Sequence, residues 1–184
     1  FEIRHQAGSR WIAAARKSYL DAGVAAEVAP FVDDISQAYA WADLVICRAG
    51  ALTVSELAAA GVASILVPFP AAVDDHQTAN AAAVIELDAA LRLLDRELTA
   101  ERLARELHEL CRGGRERRVA MAERARRLAR PRAAEELADA CLAAARIEGA
   151  AACARPCTTG CGASTPSTSS ASAAAAWVAS PKCC

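Results

Sequence analysis

Short apolar runs alternate with amphipathic segments over the first 150 residues. The apolar runs predict strands, and segments with apolar residues every three or four positions predict helices. The predicted strands span residues 3–6, 24–32, 44–47, 63–67 and 89–94. The predicted helices span residues 9–22, 33–41, 53–60, 76–86, 98–111, 115–129 and 131–147. This alternation predicts an α/β fold, a Rossmann-like parallel sheet with helices on both faces.

Three loops of this predicted sheet lead from the carboxyl end of a strand into a helix, at residues 30–34, 48–55 and 68–77. Open parallel sheets bind their ligands at that edge. The same loops are the most polar or most glycine- and proline-marked stretches of the region. We therefore expect a ligand site to be built from them.

The segment from Cys47 to Glu56 contains the loop after the third strand. Gly50 allows a tight turn, and the hydroxyls of Thr53 and Ser55 lie near a predicted helix start, where free N–H groups favour a phosphate. Glu56 is predicted in the first helical turn, where its carboxylate can accept both hydroxyls of a ribose. Thr53 and Glu56 also match a capping box, so a helix cap and a ligand contact both stay open.

The loop after the fourth strand contains two prolines, which hold it extended, and ends in a group of hydrogen-bonding side chains. Gln77 carries both a donor and an acceptor, which suits sugar hydroxyls. In the alternative interpretation Asp74 or Asp75 caps the following helix and His76 is simply solvated. A metal or general-base role for His76 is the less favoured interpretation.

Composition narrows the function classes. Lys+Arg number 21 and Asp+Glu 22, giving a net charge of −1, so no basic surface for a nucleic acid is predicted. No apolar run approaches the roughly 18–20 residues that a membrane-spanning helix needs. Three cysteines scattered over the first 150 residues are typical of a reduced cytosolic protein. The Cys-x3-Cys-x3-Cys spacing from Cys153 to Cys161 is not that of a zinc site, and no metal or cofactor is predicted.

Several motifs together resemble the C-terminal domain of the MurG family, the N-acetylglucosaminyltransferases that make lipid II for peptidoglycan. The residues that carry the resemblance are 31–34, 40–43, 47–56, 58–61, 67–69 and 75–80, within a similarity covering about residues 3–145. The resemblance implies the C-terminal half of a GT-B glycosyltransferase, in which two Rossmann-like domains form the enzyme and the second holds the donor UDP-GlcNAc.

The resemblance also implies roles for particular residues. The backbone at Val32 is expected to contact the uracil, Glu56 the ribose and Gln77 the GlcNAc hydroxyls, while the start of the third predicted helix passes the nucleotide and its phosphates. The full expected UDP-GlcNAc set is Val32, Ala51, Leu52, Thr53, Val54, Ser55, Glu56 and Gln77.

In this family the lipid acceptor site and the proposed catalytic base belong to the first domain, which would precede Phe1. We therefore expect this chain to contain no catalytic residue and part of the donor site, and not to transfer GlcNAc by itself. The implied acceptor is undecaprenyl-pyrophosphoryl-MurNAc-pentapeptide (lipid I), and the implied location is the cytoplasmic face of the bacterial inner membrane, as a peripheral protein.

Three alternatives stay open. The chain could derive from another GT-B transferase that acts on a glycolipid. It could instead be a non-catalytic fragment that only binds nucleotide sugars. It could also fail to fold, since an incomplete sheet leaves an unpaired edge.

The character of the sequence changes at Gly149, after which Ala, Ser, Thr, Pro and Cys occur without periodicity. This composition predicts a disordered tail over residues 149–184, after a donor-binding domain over residues 1–148. Back-translation of residues 168–184 with a shift of one base can encode a glycine-rich sequence resembling the nucleotide-binding start of the UDP-N-acetylmuramate–alanine ligase family. We therefore expect the tail to be an out-of-frame extension.

Overall fold

The computed structural model describes residues 1–70, 76–144 and, for the backbone alone, 175–179. The strands are β1 (Glu2–Gln6), β2 (Glu27–Ala29), β3 (Leu44–Cys47), β4 (Ala63–Leu66), β5 (Ala90–Arg92) and β6 (Ala175–Ala179). The helices are α1 (Ile12–Asp21), α2 (Ile35–Trp41), α3 (Ala51–Ala60), α4 (His76–Ile85), α5 (Ala100–Arg112), α6 (Gly114–Arg126) and α7 (Ala133–Ala144).

The strands form one sheet in the order β2-β1-β6-β3-β4-β5. β1 pairs with β2 in parallel, and β4 pairs in parallel with β3 on one side and β5 on the other. The predicted α/β fold with a parallel sheet is thereby confirmed. Its carboxyl edge carries the loops that follow β1 to β5, including the three loops expected to bind a ligand.

β6 is the antiparallel member of the sheet and lies between β1 and β3. This position differs from the expectation of a structureless tail over residues 149–184. The physical reason is that β1 and β3 each have an edge facing this position, and β6 pairs with their backbone groups. The rest of the tail lies outside the described residues, and its out-of-frame origin stays a prediction.

The core has two layers, one on each face of the sheet. Side chains alternate along β3, so Val45 and Cys47 face one layer and Leu44 faces the other. The first layer packs against α2, α3 and α4, where Tyr39 and Leu57 are buried. The second layer packs against α5 and α6. The layer under α2 and α3 therefore supports the loop after β3.

Capping residues fix the ends of three helices. Asp34 caps α2 by accepting a hydrogen bond from the Gln37 N–H at 2.8 Å, and the Thr99 hydroxyl caps α5 in the same way. Gly61 ends α3 in the left-handed region, with φ of 63°. A side chain there would be strained and would also meet the Arg126 guanidinium, which donates a hydrogen bond to the Ala60 carbonyl at 2.7 Å.

α7 belongs to a unit of its own, and the other described helices and strands belong to a second unit. Glu135 in the first turn of α7 forms an ion pair with Arg132, which directly precedes the helix. The predicted division of the chain near residue 148 lies outside the described residues and stays a prediction. Among the described helices, none is both long and apolar enough to span a membrane.

Candidate functional site

The start of α3 lies at the carboxyl end of β3 and is open. Gly50 precedes the helix in an extended conformation, with φ of −63° and ψ of 146°, and no side chain in the described part of the chain caps the helix there. The first intrahelical bond runs from the Val54 N–H to the Gly50 carbonyl at 2.9 Å. The N–H groups of Ala51, Leu52 and Thr53 are therefore free of intrahelical partners, as first-turn amides always are.

The predicted capping box is wrong, because α3 begins two residues earlier than expected. Thr53 is the third residue of the helix, and Glu56 lies in its second turn rather than its first. The physical reason is that Ala51 and Leu52 are strong helix formers and extend the helix back to Gly50. The backbone angles of Gly50 suit any residue, so its conformation does not itself require a glycine.

The side chains of this first turn point in different directions. Leu52 is 80% exposed, whereas Val54 packs against the core layer under α3. The Ser55 hydroxyl donates a hydrogen bond to the Ala51 carbonyl at 3.0 Å. The Ser55 hydroxyl would have to give up this hydrogen bond to contact a phosphate. The free backbone amides of the first turn could contact a phosphate without breaking any bond.

Glu56 lies on the surface beside a buried tyrosine. The Tyr39 hydroxyl donates a hydrogen bond to Glu56 Oε2 at 3.1 Å, and the Tyr39 residue is only 6% exposed. Burial raises the pKa of the Tyr39 phenol, and the Glu56 carboxylate raises it further. Burial, followed by the same carboxylate, raises the pKa of the Cys47 thiol to about 12. Glu56 thus lies over two groups that stay neutral and protonated.

Arg48 holds neighbouring loops together. Its guanidinium donates hydrogen bonds to the carbonyls of Val67 and Pro68, both at 3.3 Å, and forms an ion pair with Asp95. It also lies over the Phe69 ring, 5.3 Å from the centroid. This role was not predicted, and the one local signal for it was an arginine directly after a buried strand. Arg48 connects the loop before α3 to the loops after β4 and β5.

The start of α4 contributes two amide side chains. Gln77 Oε1 accepts a hydrogen bond from the Phe69 N–H at 2.9 Å, which leaves the Gln77 NH₂ group as its donor toward a ligand. Asn80 donates to the Ala49 carbonyl at 3.2 Å and so supports the loop before α3. Asp74 and Asp75, the alternative caps of α4, lie outside the described residues.

Val32 borders a cavity of about 330 Å³ between β1, β2 and the start of α2. The Val32 N–H donates a hydrogen bond to Gln6 Oε1, at the end of β1, at 3.0 Å. This N–H is therefore already paired and is not available to a uracil. The Val32 carbonyl is the backbone group that remains for a base. Gln6 was missed by the sequence analysis, although its place at the carboxyl end of a strand was a usable signal.

Comparison with known proteins identifies the family. The profile described as "Glycosyltransferase family 28 C-terminal domain" matches residues 1–137. The chain belongs to this family.

Curated relatives of this family 28 domain agree with the resemblance to MurG. A protein of Marinobacter nauticus is 53% identical over 144 residues, covering 78% of this chain and 39% of that protein. A protein of Azoarcus sp. is 56% identical over 140 residues, covering 76% and 38%. Both are named UDP-N-acetylglucosamine--N-acetylmuramyl-(pentapeptide) pyrophosphoryl-undecaprenol N-acetylglucosamine transferase. The chain spans about two fifths of the length of these relatives.

A solved structure is also similar to the family 28 domain. The crystal structure of Acinetobacter baumannii MurG matches with a TM-score of 0.71 and 42% sequence identity, covering 76% of this chain and 40% of that one. Fold and sequence therefore agree, and the predicted resemblance to the C-terminal domain of MurG is confirmed.

The expected contact residues of the family 28 domain fall into two groups. One group lies at the starts of two helices: the first turn of α3 and Glu56 belong to α3, and Gln77 belongs to α4. Hydrogen bonds of Asn80 and Arg48 connect the loops before these two helices. Val32 lies at the cavity beside α2, and Val54 faces the core instead of solvent. No cluster of three or more metal-ligating side chains occurs among the described residues. The ligand contacts themselves stay predictions.

Proposed function

We propose that this chain is the donor-binding domain of a transferase that moves GlcNAc from UDP-GlcNAc to undecaprenyl-pyrophosphoryl-MurNAc-pentapeptide, giving lipid II. The observation that carries the proposal is the surface carboxylate of Glu56 beside the open start of α3. The names of relatives that share half or more of the aligned residues support the same reaction.

Each end of the donor has matching chemistry in this site. The open N–H groups of α3 favour the diphosphate, and the same helix start stabilises the negative charge that UDP gains as it leaves. The Glu56 carboxylate accepts the ribose hydroxyls, and the Val32 carbonyl accepts the imide N–H of uracil. The Gln77 NH₂ group donates to the sugar hydroxyls.

The acceptor side of the reaction follows from the same proposal. Undecaprenol is a membrane lipid, so an acceptor attached to it stays at the bilayer surface, and the enzyme works there as a peripheral protein on the cytoplasmic face of the inner membrane. The lipid I contacts and the catalytic base belong to the part of the enzyme that the family places before this domain.

The test is calorimetric titration of this chain with UDP and with uridine. We expect UDP to bind at least about 10-fold more tightly, because uridine lacks the diphosphate that α3 receives. Glu56→Gln should weaken UDP about 10- to 100-fold, since hydrogen bonds to a charged group are worth roughly 1.5–3 kcal/mol.

Glu109→Gln is the matched control, because Glu109 is an exposed carboxylate of α5 on the other face of the sheet. It should leave UDP affinity unchanged. Equal affinities for UDP and uridine would contradict the diphosphate site. Equal losses with the two carboxylate variants would contradict the role of Glu56.

A further inference from the structure

Tyr39 connects the core of the domain to the surface of the candidate site. Its ring belongs to the buried layer that also contains Val45, Cys47 and Leu57. Its hydroxyl leaves that layer and reaches Glu56 Oε2 at 3.1 Å. Because the packed ring has little freedom to move, the hydroxyl is a fixed donor rather than a mobile surface group.

Glu56 has the opposite character. It is exposed, on the second turn of α3, and a free glutamate side chain at such a position samples several rotamers. Among the described residues, the Tyr39 hydroxyl donates the hydrogen bond that this carboxylate accepts. That bond occupies one acceptor position of Oε2, and a carboxylate offers about four. The remaining positions, including those of Oε1, are left for a ligand.

The Cys47 thiol is a second group near Glu56. It lies in the same buried layer as the Tyr39 ring, and burial, followed by the Glu56 charge, raises its pKa and keeps it protonated. The carboxylate therefore has a neutral, apolar surface beneath it, and Tyr39 supplies the hydroxyl that holds it there. Without that hydroxyl, Glu56 would lose its fixed contact with the core and turn toward bulk water.

We propose that Tyr39 is a positioning residue of the nucleotide site, which holds Glu56 in the one orientation that accepts both hydroxyls of a ribose. The inference rests on the proposed function, because it takes the ribose of a uridine nucleotide as the partner of Glu56. A vicinal diol donates two neighbouring hydrogen bonds, so a carboxylate that is already oriented gains both without an ordering cost. Tyr39 thereby sets the preference for ribonucleotides over 2′-deoxyribonucleotides.

The experiment compares UDP with 2′-deoxy-UDP by calorimetric titration of the 184-residue chain. Tyr39→Phe keeps the ring in the core and removes the hydroxyl alone. We expect it to weaken UDP about 5- to 10-fold and 2′-deoxy-UDP less than about 2-fold, because the lost orientation matters for the diol. In a Glu56→Gln background, adding Tyr39→Phe should change UDP affinity less than about 2-fold, since both changes remove the same function.

Tyr19→Phe is the matched control. Tyr19 is a partly buried tyrosine of α1 whose ring contacts His5 edge-on, away from Glu56. It should leave both affinities unchanged. If Tyr39→Phe weakens the two nucleotides equally, its role is structural and the positioning proposal is overturned.

Glu56→Asp supplies a second test that leaves the core intact. Its shorter side chain draws the carboxylate away from the Tyr39 hydroxyl, so the preference for UDP over 2′-deoxy-UDP should fall at least about 5-fold. A preserved preference would overturn the proposal even if Tyr39→Phe did not fold. If Glu56→Gln lowers UDP affinity and Tyr39→Phe does not, the positioning role of Tyr39 is overturned while the ribose contact of Glu56 stands. If Glu56→Gln has no effect, the ribose contact and the positioning role fail together.

Discussion

The helices α2 and α3 both begin at the carboxyl edge of the sheet, and their first turns are built in opposite ways. α2 begins with Asp34, whose carboxylate accepts the Gln37 N–H and the Ser36 hydroxyl. α3 begins with Gly50, which has no side chain to offer its amides. A carboxylate of the protein itself satisfies the first start, whereas the amides of the second have no side-chain cap and are open to the anion we propose there.

The two helix starts differ in how they would receive an anion. An acidic cap supplies the negative charge that a phosphate would bring and also repels one. A glycine cap leaves the same position empty of charge, and Arg48 and Asn80 hold the surrounding loop from its other side. The backbone angles of Gly50 do not require a glycine, and the proposed anion site would favour one there.

The largest expected effect comes from making α3 begin as α2 does. In Gly50→Asp the new carboxylate would cap the helix, and its Cβ would meet only Thr53 Oγ1, at an ordinary 3.6 Å. We expect UDP affinity to fall about 10- to 100-fold because two negative charges would compete for one helix start. Uridine affinity should stay unchanged. Calorimetric titration with both ligands measures the difference.

Gly50→Ser separates the effect of negative charge from the effect of a side chain at the helix start, because serine also caps helices but carries no charge. It should weaken UDP much less than the aspartate variant does. Equal losses with serine and aspartate would mean that a steric block, and not charge, explains the effect.

The second prediction concerns Arg48, which holds the loop before α3 in place. Arg48→Met would break the ion pair with Asp95 and the bonds to two carbonyls of the loop after β4. Because the Arg48 side chain is 29% exposed, we expect the free energy of unfolding to fall by about 1–3 kcal/mol. UDP affinity should fall as well, since the loop before α3 loses its connection. Urea unfolding and titration measure the two losses.

Arg96→Met is the comparison for that variant, because the Arg96 side chain is 81% exposed and its ion pair with Glu97 is 3.9 Å long. It should change the free energy of unfolding by less than about 0.5 kcal/mol. A similar loss in both arginine variants would show that general charge, rather than the Arg48 connections, stabilises the loops.

The smallest effect comes from opening α2. Asp34→Ala should lower the melting temperature by roughly 2–4 °C at pH 7, because the first turn loses its cap. The Gln37 N–H, then the Ser36 hydroxyl, hold the pKa of Asp34 below its usual 3.8. A carboxyl with a lowered pKa stabilises the fold above its unfolded pKa, and this stability is lost as pH falls through the folded value.

The melting temperatures of Asp34→Ala and the unaltered chain should therefore converge below pH 3.8, as followed by circular dichroism. Asp34→Asn retains a capping oxygen without a titratable group and should stay close to the unaltered chain at pH 7. A constant difference between the alanine variant and the unaltered chain at every pH would contradict capping by the charged form.

Local sequence signals predicted β1 to β5 and came close to most helix ends, but they missed β6 and misplaced the start of α3. The run Leu44–Cys47 was bounded correctly because a short apolar strand ends where polar residues begin. Thr53 and Glu56 match a capping box, which favours a helix start at Thr53, whereas the helix continues back through Ala51 and Leu52. Propensity over several residues outweighed one capping residue, and this moved Glu56 into the second turn.

The supporting contacts of the site could not be predicted from local pattern, because each joins distant parts of the chain. Gln6 and Val32 are 26 residues apart, and Arg48 and Asp95 are 47 apart. Their pairing depends on which strands are neighbours and on the direction in which each side chain points. The family resemblance identified the expected ligand contacts, but the residues that orient those contacts became visible only in three dimensions.

The burial of Cys47 has a consequence for the chemistry of the domain toward oxidants and alkylating reagents. Thiols react as thiolates, and burial, followed by the Glu56 charge, keeps the Cys47 thiol protonated at pH 7 by raising its pKa to about 12. Cys141, by contrast, is exposed on α7. A maleimide dye or spin label should therefore modify Cys141 and spare the Cys47 sulfur, so the proposed nucleotide site keeps its native covalent structure while the protein carries a reporter.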